Sequence, residues 1–154
     1  SDQLTHWRRA LHQKPETAFE EQWTSDYIAE KLESLGLEVH RGLAKTGIVA
    51  VVRGEREGNR AIGLRADIDA LDIHEANTFE HRSQHPGKMH ACGHDGHSAM
   101  LLGAAHYFAD HRDFGGTVYL VFQPAEENEG GAGSDAKSKR KFKTKNDQKW
   151  CAFS

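Results

Sequence analysis

The stretch Met89–His97 concentrates the side chains of this sequence that could do chemistry. It contains one thiol, three imidazoles and one carboxylate, from Cys92, His90, His94, His97 and Asp95. Cys92 and His94 are separated only by Gly93, which lets the backbone turn, so both side chains can reach one divalent ion. Thiolate and imidazole suit zinc, and carboxylates add tolerance for manganese. The stretch indicates a metal site, although a buried cysteine beside solvated histidines would show the same residues.

A second group of candidates is the adjacent pair Glu126 and Glu127, which follows the apolar run Thr117–Gln123 after Pro124-Ala125. Adjacent glutamates are common on protein surfaces. This pair, however, follows directly after a predicted buried strand and does not lie on the face of a helix. Neighbouring side chains point in different directions, so one can ligate a metal while the other acts as a base. A general base typically raises the reaction rate by roughly 10²–10⁴-fold. A divalent ion lowers the pKa of its bound water from about 15.7 to about 7.

Asp67 and Asp69 close another predicted buried strand. They either cap a helix or form a turn, or they hydrogen-bond to an imidazole that binds the metal and so fix its orientation. A different mechanism would use Cys92 as a covalent nucleophile, which requires a dedicated histidine base. That alternative stays open from the residues alone, although the clustering favours a metal.

The apolar spacing predicts an α/β sheet covered by helices. Helices are predicted at Asp2–His12, Glu21–Leu35 and Asp95–His111, and strands at Leu37–His40, Gly47–Val52, Ala61–Ala66 and Thr117–Gln123, with a polar turn at Gly54–Asn59 and a loop from Asp67 to Gly93. Open α/β sheets bind ligands at the carboxyl ends of strands, where the candidate carboxylates lie. The buried stripe of the third helix is predicted to be Met100, Leu101, Ala104 and Phe108.

Composition indicates one ordinary domain of 154 residues. The sequence lacks a secretory signal and the run of roughly 20 apolar residues that a membrane helix needs, so no membrane partner is expected. Two cysteines without a motivated pairing indicate a reducing, cytoplasmic compartment. Residues 1–133 carry 13 Lys/Arg and 21 Asp/Glu, a net charge of −8 that argues against a nucleic-acid partner.

Residues 134–154 have a different character, with 7 Lys/Arg, 2 Asp and no apolar periodicity. Three interpretations are open for this Lys-rich tail. It is a disordered basic segment, a nucleic-acid or membrane patch, or out-of-frame sequence after a frameshift or junction. We favour the last, because the change at Ser134 is abrupt.

Four motifs in order resemble the metal-dependent amidohydrolases that include hippurate hydrolase, N-acyl-amino-acid aminoacylases and plant auxin-conjugate hydrolases. The resemblance covers residues 4–133, and its motifs are Arg9-Ala10-Leu11-His12 with Pro15-Glu16, Leu64–Leu71, His85–His97 and Gln123–Glu127. It implies the N-terminal part of a zinc-exopeptidase-like catalytic domain, with a mixed sheet flanked by helices. It also implies a parent enzyme that hydrolyses N-acyl or N-aroyl amino acids to a carboxylic acid and an amino acid.

The resemblance assigns a role to each candidate. It implies two divalent ions, manganese or zinc, with nickel or cobalt as further options. Cys92, His94 and Glu127 would be metal ligands, with Cys92 bridging the ions. Glu126 would be the general base toward metal-activated water, and Asp67 would support the site. The parent enzyme is expected to be a homo-oligomer.

The resemblance stops before two histidine ligands, a lid and dimerisation domain and the rest of the catalytic domain. The division of the chain is therefore predicted to be residues 1–133, the start of a catalytic domain, and residues 134–154, a tail outside the family. The alternative function that follows is a truncated, catalytically inactive chain that binds metal through a partial site.

Overall fold

A computed structural model describes residues 2–127 and the strand at residues 148–152. These described residues form three helices, α1 (Asp2–Gln13), α2 (Gln22–Ser34) and α3 (His94–Asp110). They also form five strands, β1 (Glu38–Leu43), β2 (Gly47–Arg53), β3 (Arg56–Asp67), β4 (Gly115–Gln123) and β5 (Gln148–Ala152). The predicted helices and strands of residues 2–127 are all present, with ends shifted by a few residues. None of the helices in the described part of the chain has the length and apolar character that a membrane span requires.

The strands form one mixed sheet in the order β1-β2-β4-β3-β5. β2 is antiparallel to β1 and to β4, whereas β3 is parallel to β4 on one side and to β5 on the other. Asp67 pairs with Gln123 in the β3–β4 register. The carboxyl ends of these two strands therefore meet at one edge of the sheet, as the sequence predicts.

Alternation along β2 separates the two faces of the sheet. Ile48, Ala50 and Val52 belong to the main core with buried residues of all three helices, whereas Val49 and Val51 belong to a smaller cluster formed by strand residues. Successive side chains of a strand point to opposite faces of the sheet, and this alternation produces the division.

The predicted stripe of α3 is wrong at Met100, which is 47% exposed. The face that packs on the sheet instead carries Leu101, Leu102 and Ala105, which are fully buried. Gly103 allows α1 to approach, because a Cβ atom there would lie 2.7 Å from Leu4 Cδ2.

Two segments differ from their predicted structure. The polar turn predicted at Gly54–Asn59 is shorter, because β3 already begins at Arg56 and shifts its register against β4 before Ala61. No strand is predicted in the Lys-rich tail, yet residues 148–152 pair with Ala61–Arg65 of β3. Most of the tail lies outside the described residues, and its assignment as a separate, non-family segment remains a prediction.

The predicted loop between β3 and α3 is confirmed, with a single bridge between Leu71 and Met89. A buried histidine of α1 ties this loop to α3. His12 is 3% exposed, and its Nδ1 lies 2.9 Å from Asp95 Oδ2 while its Nε2 lies 3.0 Å from Glu75 Oε1. The hydrogen bond with Asp95 is the main cause of the raised pKa of His12, and burial opposes it.

Glu75→Gln is expected to destabilise the chain at neutral pH. Burial favours the neutral acid, but hydrogen bonds from His12, the Ser83 amide and Asn77 outweigh it and lower the pKa of Glu75 to about 2. A depressed pKa means that the stabilisation is present above the ordinary value of 4.5 and is lost as the pH falls toward 2. The loss at pH 7 should be roughly 1–3 kcal/mol, as for breaking a charged hydrogen bond.

Urea unfolding at pH 7, 5 and 3 measures this effect. The difference between the unsubstituted chain and Glu75→Gln should shrink as the pH falls. Glu30→Gln is the control, because the Glu30 side chain is 73% exposed. An equal loss of stability in both variants, or a difference that does not change with pH, would contradict the assignment.

Candidate metal centre

The ends of β3 and β4 and the beginning of α3 converge on one group of side chains. Gly93 precedes α3 with a φ of 81°, in the left-handed region that favours glycine, and His94 is the first helical residue. Within the described residues, ligand atoms of Asp67, His94 and Glu126 all lie within 4.8 Å of one another. One imidazole and two carboxylates are a donor set that zinc and manganese accept.

Asp69 fixes the orientation of the His94 imidazole. His94 Nδ1 lies 2.9 Å from the Asp69 carbonyl oxygen and 3.2 Å from its Oδ1. Burial opposes protonation of His94, but the hydrogen bonds and charge of Asp69 outweigh it and raise the pKa of His94 to about 9. Since Nδ1 is committed to Asp69, Nε2 is the nitrogen left to face a metal ion.

The two glutamates are held next to His94 by a tight turn after β4. Ala125 has a φ of 54°, an uncommon value for a residue with a Cβ atom. Beyond it, the Glu127 amide donates to Asp69 Oδ2 at 3.0 Å. Glu127 Oε1 lies 3.9 Å from His94 Nε2. Asp69 therefore contacts both the imidazole and the segment that carries the carboxylates.

Cys92 is an exposed free cysteine at the rim of this group. A hydrogen bond between its thiol and Glu127 is the largest cause that raises the pKa of Cys92 to about 11, followed by burial and by the charges of Glu127, Glu126 and Asp69. The carboxylates thus disfavour the free thiolate, and a bound cation would reverse this balance.

The thiol of Cys92 is expected to react slowly with iodoacetamide in the metal-free protein. Its pKa of about 11 exceeds the ordinary 9.0, so at pH 8 alkylation should be roughly 10- to 100-fold slower than for an unperturbed cysteine. Glu127→Gln should accelerate the reaction because it removes both the hydrogen bond and a negative charge. Mass spectrometry in a Cys151→Ser background reports Cys92 alone, and equal rates with and without the Glu127 carboxylate would contradict this account.

The structure brings the five predicted site residues together at one edge of the sheet. Asp67 and Glu126, predicted as the supporting carboxylate and the general base, join His94 in the group of three. Cys92 and Glu127, predicted as ligands, lie beside it. The individual roles remain predictions. The contact that supports the His94 imidazole comes from Asp69, one of the two aspartates predicted to orient a ligand imidazole.

Residues near the site differ in how clearly the sequence signals them. Arg65 pairs with Asp67 Oδ1 at 2.8 Å and fixes that carboxylate, a contact that the alternation along a strand could have suggested. His90 and His97, the other two imidazoles of the stretch Met89–His97, do not belong to the group of three formed by Asp67, His94 and Glu126. His90 is 5% exposed, burial lowers its pKa to about 4, and its ring nitrogens have no hydrogen-bond partner among the described residues.

The profile of peptidase family M20/M25/M40 matches residues 63–150, more than half of the chain. This chain belongs to that family. The match contains Asp67, Asp69, Cys92–His94 and the Glu126-Glu127 pair. The amidohydrolase resemblance is thereby confirmed at the level of the family.

Curated relatives agree with the family match. The chain is 50% identical over 123 residues to the N-acyl-L-amino acid amidohydrolase of Geobacillus stearothermophilus, covering 79% of this chain and 33% of the relative. It is 45% identical over 125 residues to the hippurate hydrolase of Campylobacter jejuni, covering 81% of this chain and 32% of the relative. The chain therefore spans about a third of the length of these M20/M25/M40 relatives.

A solved structure shows the same fold. The Bacillus subtilis YXEP protein, described as a dinuclear metal-binding peptidase of the M20 family, superposes with a TM-score of 0.86 at 40% sequence identity. The superposition covers 90% of this chain and 39% of the YXEP chain. The predicted fold class, part of a catalytic domain of this family, is confirmed.

Proposed function

We propose that this chain supplies metal-binding and proton-transfer groups to an enzyme that hydrolyses the amide bond of N-acyl or N-aroyl amino acids. The observation that carries the proposal is the gathering of Asp67, His94 and Glu126 within 4.8 Å, with Cys92 and Glu127 beside them. The similarity to an N-acyl-L-amino acid amidohydrolase and a hippurate hydrolase supports this substrate class.

The proposed cofactors are two divalent ions, manganese or zinc, with nickel or cobalt as further options. The similarity to the YXEP protein, described as a dinuclear metal-binding peptidase, supports the number of ions. His94 Nε2, Cys92 and Glu127 would hold them, with Asp67 as a further carboxylate within reach. When bound, such ions polarise the amide carbonyl and acidify water. Asp69 keeps the imidazole of His94 in the orientation that this role requires.

Glu126 is the proposed proton carrier. Its exposed carboxylate takes a proton from the attacking water, whose oxygen adds to the amide carbon. The same carboxyl then gives the proton to the amide nitrogen as the C–N bond breaks. The products are a carboxylic acid and the free amine of the amino acid, so atoms and charge balance.

A chimera tests this proposal. Residues 1–127 replace the matching segment of the G. stearothermophilus amidohydrolase, and release of glycine from N-benzoylglycine is measured with Mn²⁺ or Zn²⁺. The chimera should turn over, and Glu126→Gln should lower kcat by roughly 10²–10⁴-fold while metal content is retained. Undiminished turnover by Glu126→Gln would contradict the base assignment, and loss of metal would make Glu126 a ligand.

A second candidate function rests on the group of three ligand-type side chains alone, Asp67, His94 and Glu126. In this proposal the 154-residue chain alone holds a metal ion through a partial site without catalysing hydrolysis. The expected result is measurable Zn²⁺ binding with no release of glycine from N-benzoylglycine. Turnover by the chain alone that is lost in Glu126→Gln would contradict this second candidate.

A further inference from the structure

The buried carboxyl group of Glu21 contacts the turn at Ala125, which precedes Glu126 and Glu127 of the metal centre. Glu21, the residue before α2, has no exposed surface. Its Oε1 accepts the backbone N–H of Ala125 at 3.0 Å, and its Oε2 accepts the hydroxyl of Thr46 at 2.8 Å. Burying a carboxyl is costly unless it is hydrogen-bonded, and these two partners offset part of that cost.

The Ala125 end of this contact is the strained point of the turn. A residue with a Cβ atom is disfavoured at positive φ, and this conformation persists only where the surroundings hold it. At Ala125 the φ is 54° and the N–H is bound by Glu21. Two residues later, the Glu127 amide is bound by Asp69. Buried carboxylates therefore hold the chain on both sides of Glu126.

We propose that Glu21 is a positioning residue that holds the turn at Ala125, so that Glu126 and Glu127 face His94. Glu21 lies 104 residues from Ala125 and is absent from the group of ligand-type side chains, so it acts on the metal centre through the turn alone. The consequence for metal binding rests on the proposed function, whereas the consequence for the turn does not.

Three variants of the 154-residue chain separate positioning from general stability. Glu21→Ala removes the acceptor for the Ala125 amide. Thr46→Val removes the other partner of the same carboxyl but leaves the Ala125 contact, so it is the matched control for disturbing this buried site. Glu21→Gln keeps an acceptor oxygen for Ala125 and should rescue the defect.

Two quantities are measured on each variant. Amide hydrogen exchange at Ala125 and Glu127 is followed by NMR and compared with the Leu120 amide in the centre of β4, which reports global stability. Zn²⁺ affinity is measured by calorimetry. Relative to Thr46→Val, Glu21→Ala should accelerate exchange at Ala125 at least about 10-fold and weaken Zn²⁺ affinity at least about 10-fold. Glu21→Gln should restore both.

Exchange at Ala125 that is equal in Glu21→Ala and Thr46→Val would overturn the positioning role. A loss of Zn²⁺ affinity no larger than that of Thr46→Val would overturn it as well. An unsubstituted chain that binds no Zn²⁺ contradicts the proposed function instead. In that case the exchange result, which needs no metal, still decides whether Glu21 holds the turn.

Discussion

His94→Gln is expected to weaken Zn²⁺ and Mn²⁺ binding by more than the roughly 10- to 100-fold that loss of a supporting contact costs. His94 is the sole imidazole in the group of three within the described residues, and its Nε2 is the nitrogen not committed to Asp69. Cys92 and the carboxylates that remain would be a weaker site for zinc, because the nitrogen ligand is lost.

His97→Gln is the control for this substitution. His97 lies on the same helix with its ring 5.8 Å from that of His94, but it is not in the group of three. Calorimetry should show near-normal Zn²⁺ affinity for His97→Gln and none measurable for His94→Gln. Equal losses in the two variants would mean that the imidazole of His94 is not the ligand.

Asp69→Ala is expected to weaken Zn²⁺ affinity by roughly 10- to 100-fold, because one side chain supports two parts of the site. Its Oδ2 holds the Glu127 amide, and its Oδ1 lies 3.2 Å from His94 Nδ1. Removing the carboxylate should also lower the pKa of His94 from about 9 toward its ordinary 6.5. The sign follows from charge, because the carboxylate stabilises the imidazolium.

An NMR titration of His94 in the metal-free protein measures this pKa. Calorimetry at pH 7 measures Zn²⁺ affinity, and the pKa found in each protein corrects that affinity for the proton that His94 loses when it binds the metal. Asp72→Ala is the matched control, because the Asp72 side chain is 79% exposed and contacts Lys88 rather than the site. An unchanged His94 pKa in Asp69→Ala, or equal affinities of the two variants, would contradict the supporting role of Asp69.

Local patterns in the sequence were sufficient for the elements that carry the site. The β-branched runs that become β2 and β4 predict buried strands, and the register of Asp67 with Gln123 brings the predicted carboxylates to one edge. Gly93 between Cys92 and His94 predicts the turn that the φ of 81° confirms.

Contacts between distant residues could not be read from the sequence. Asp67 ends β3 and Asp69 follows it by two residues, and their identical side chains do not show which of them hydrogen-bonds to His94. Glu21 resembles the many exposed glutamates of the chain until the end of β4 places Ala125 against it. In each case the partner is set by tertiary packing, which local spacing does not encode.

Anomalous diffraction from crystals of the 154-residue chain grown with Zn²⁺ would show whether His94 binds a metal ion. We expect a peak bonded to His94 Nε2 and to at least one carboxylate oxygen of Asp67, Glu126 or Glu127. Cys92 Sγ at about 2.3 Å from the ion would support its assignment as a ligand. No peak within bonding distance of His94, or ions held only at other surface residues, would contradict the metal centre proposed for this chain.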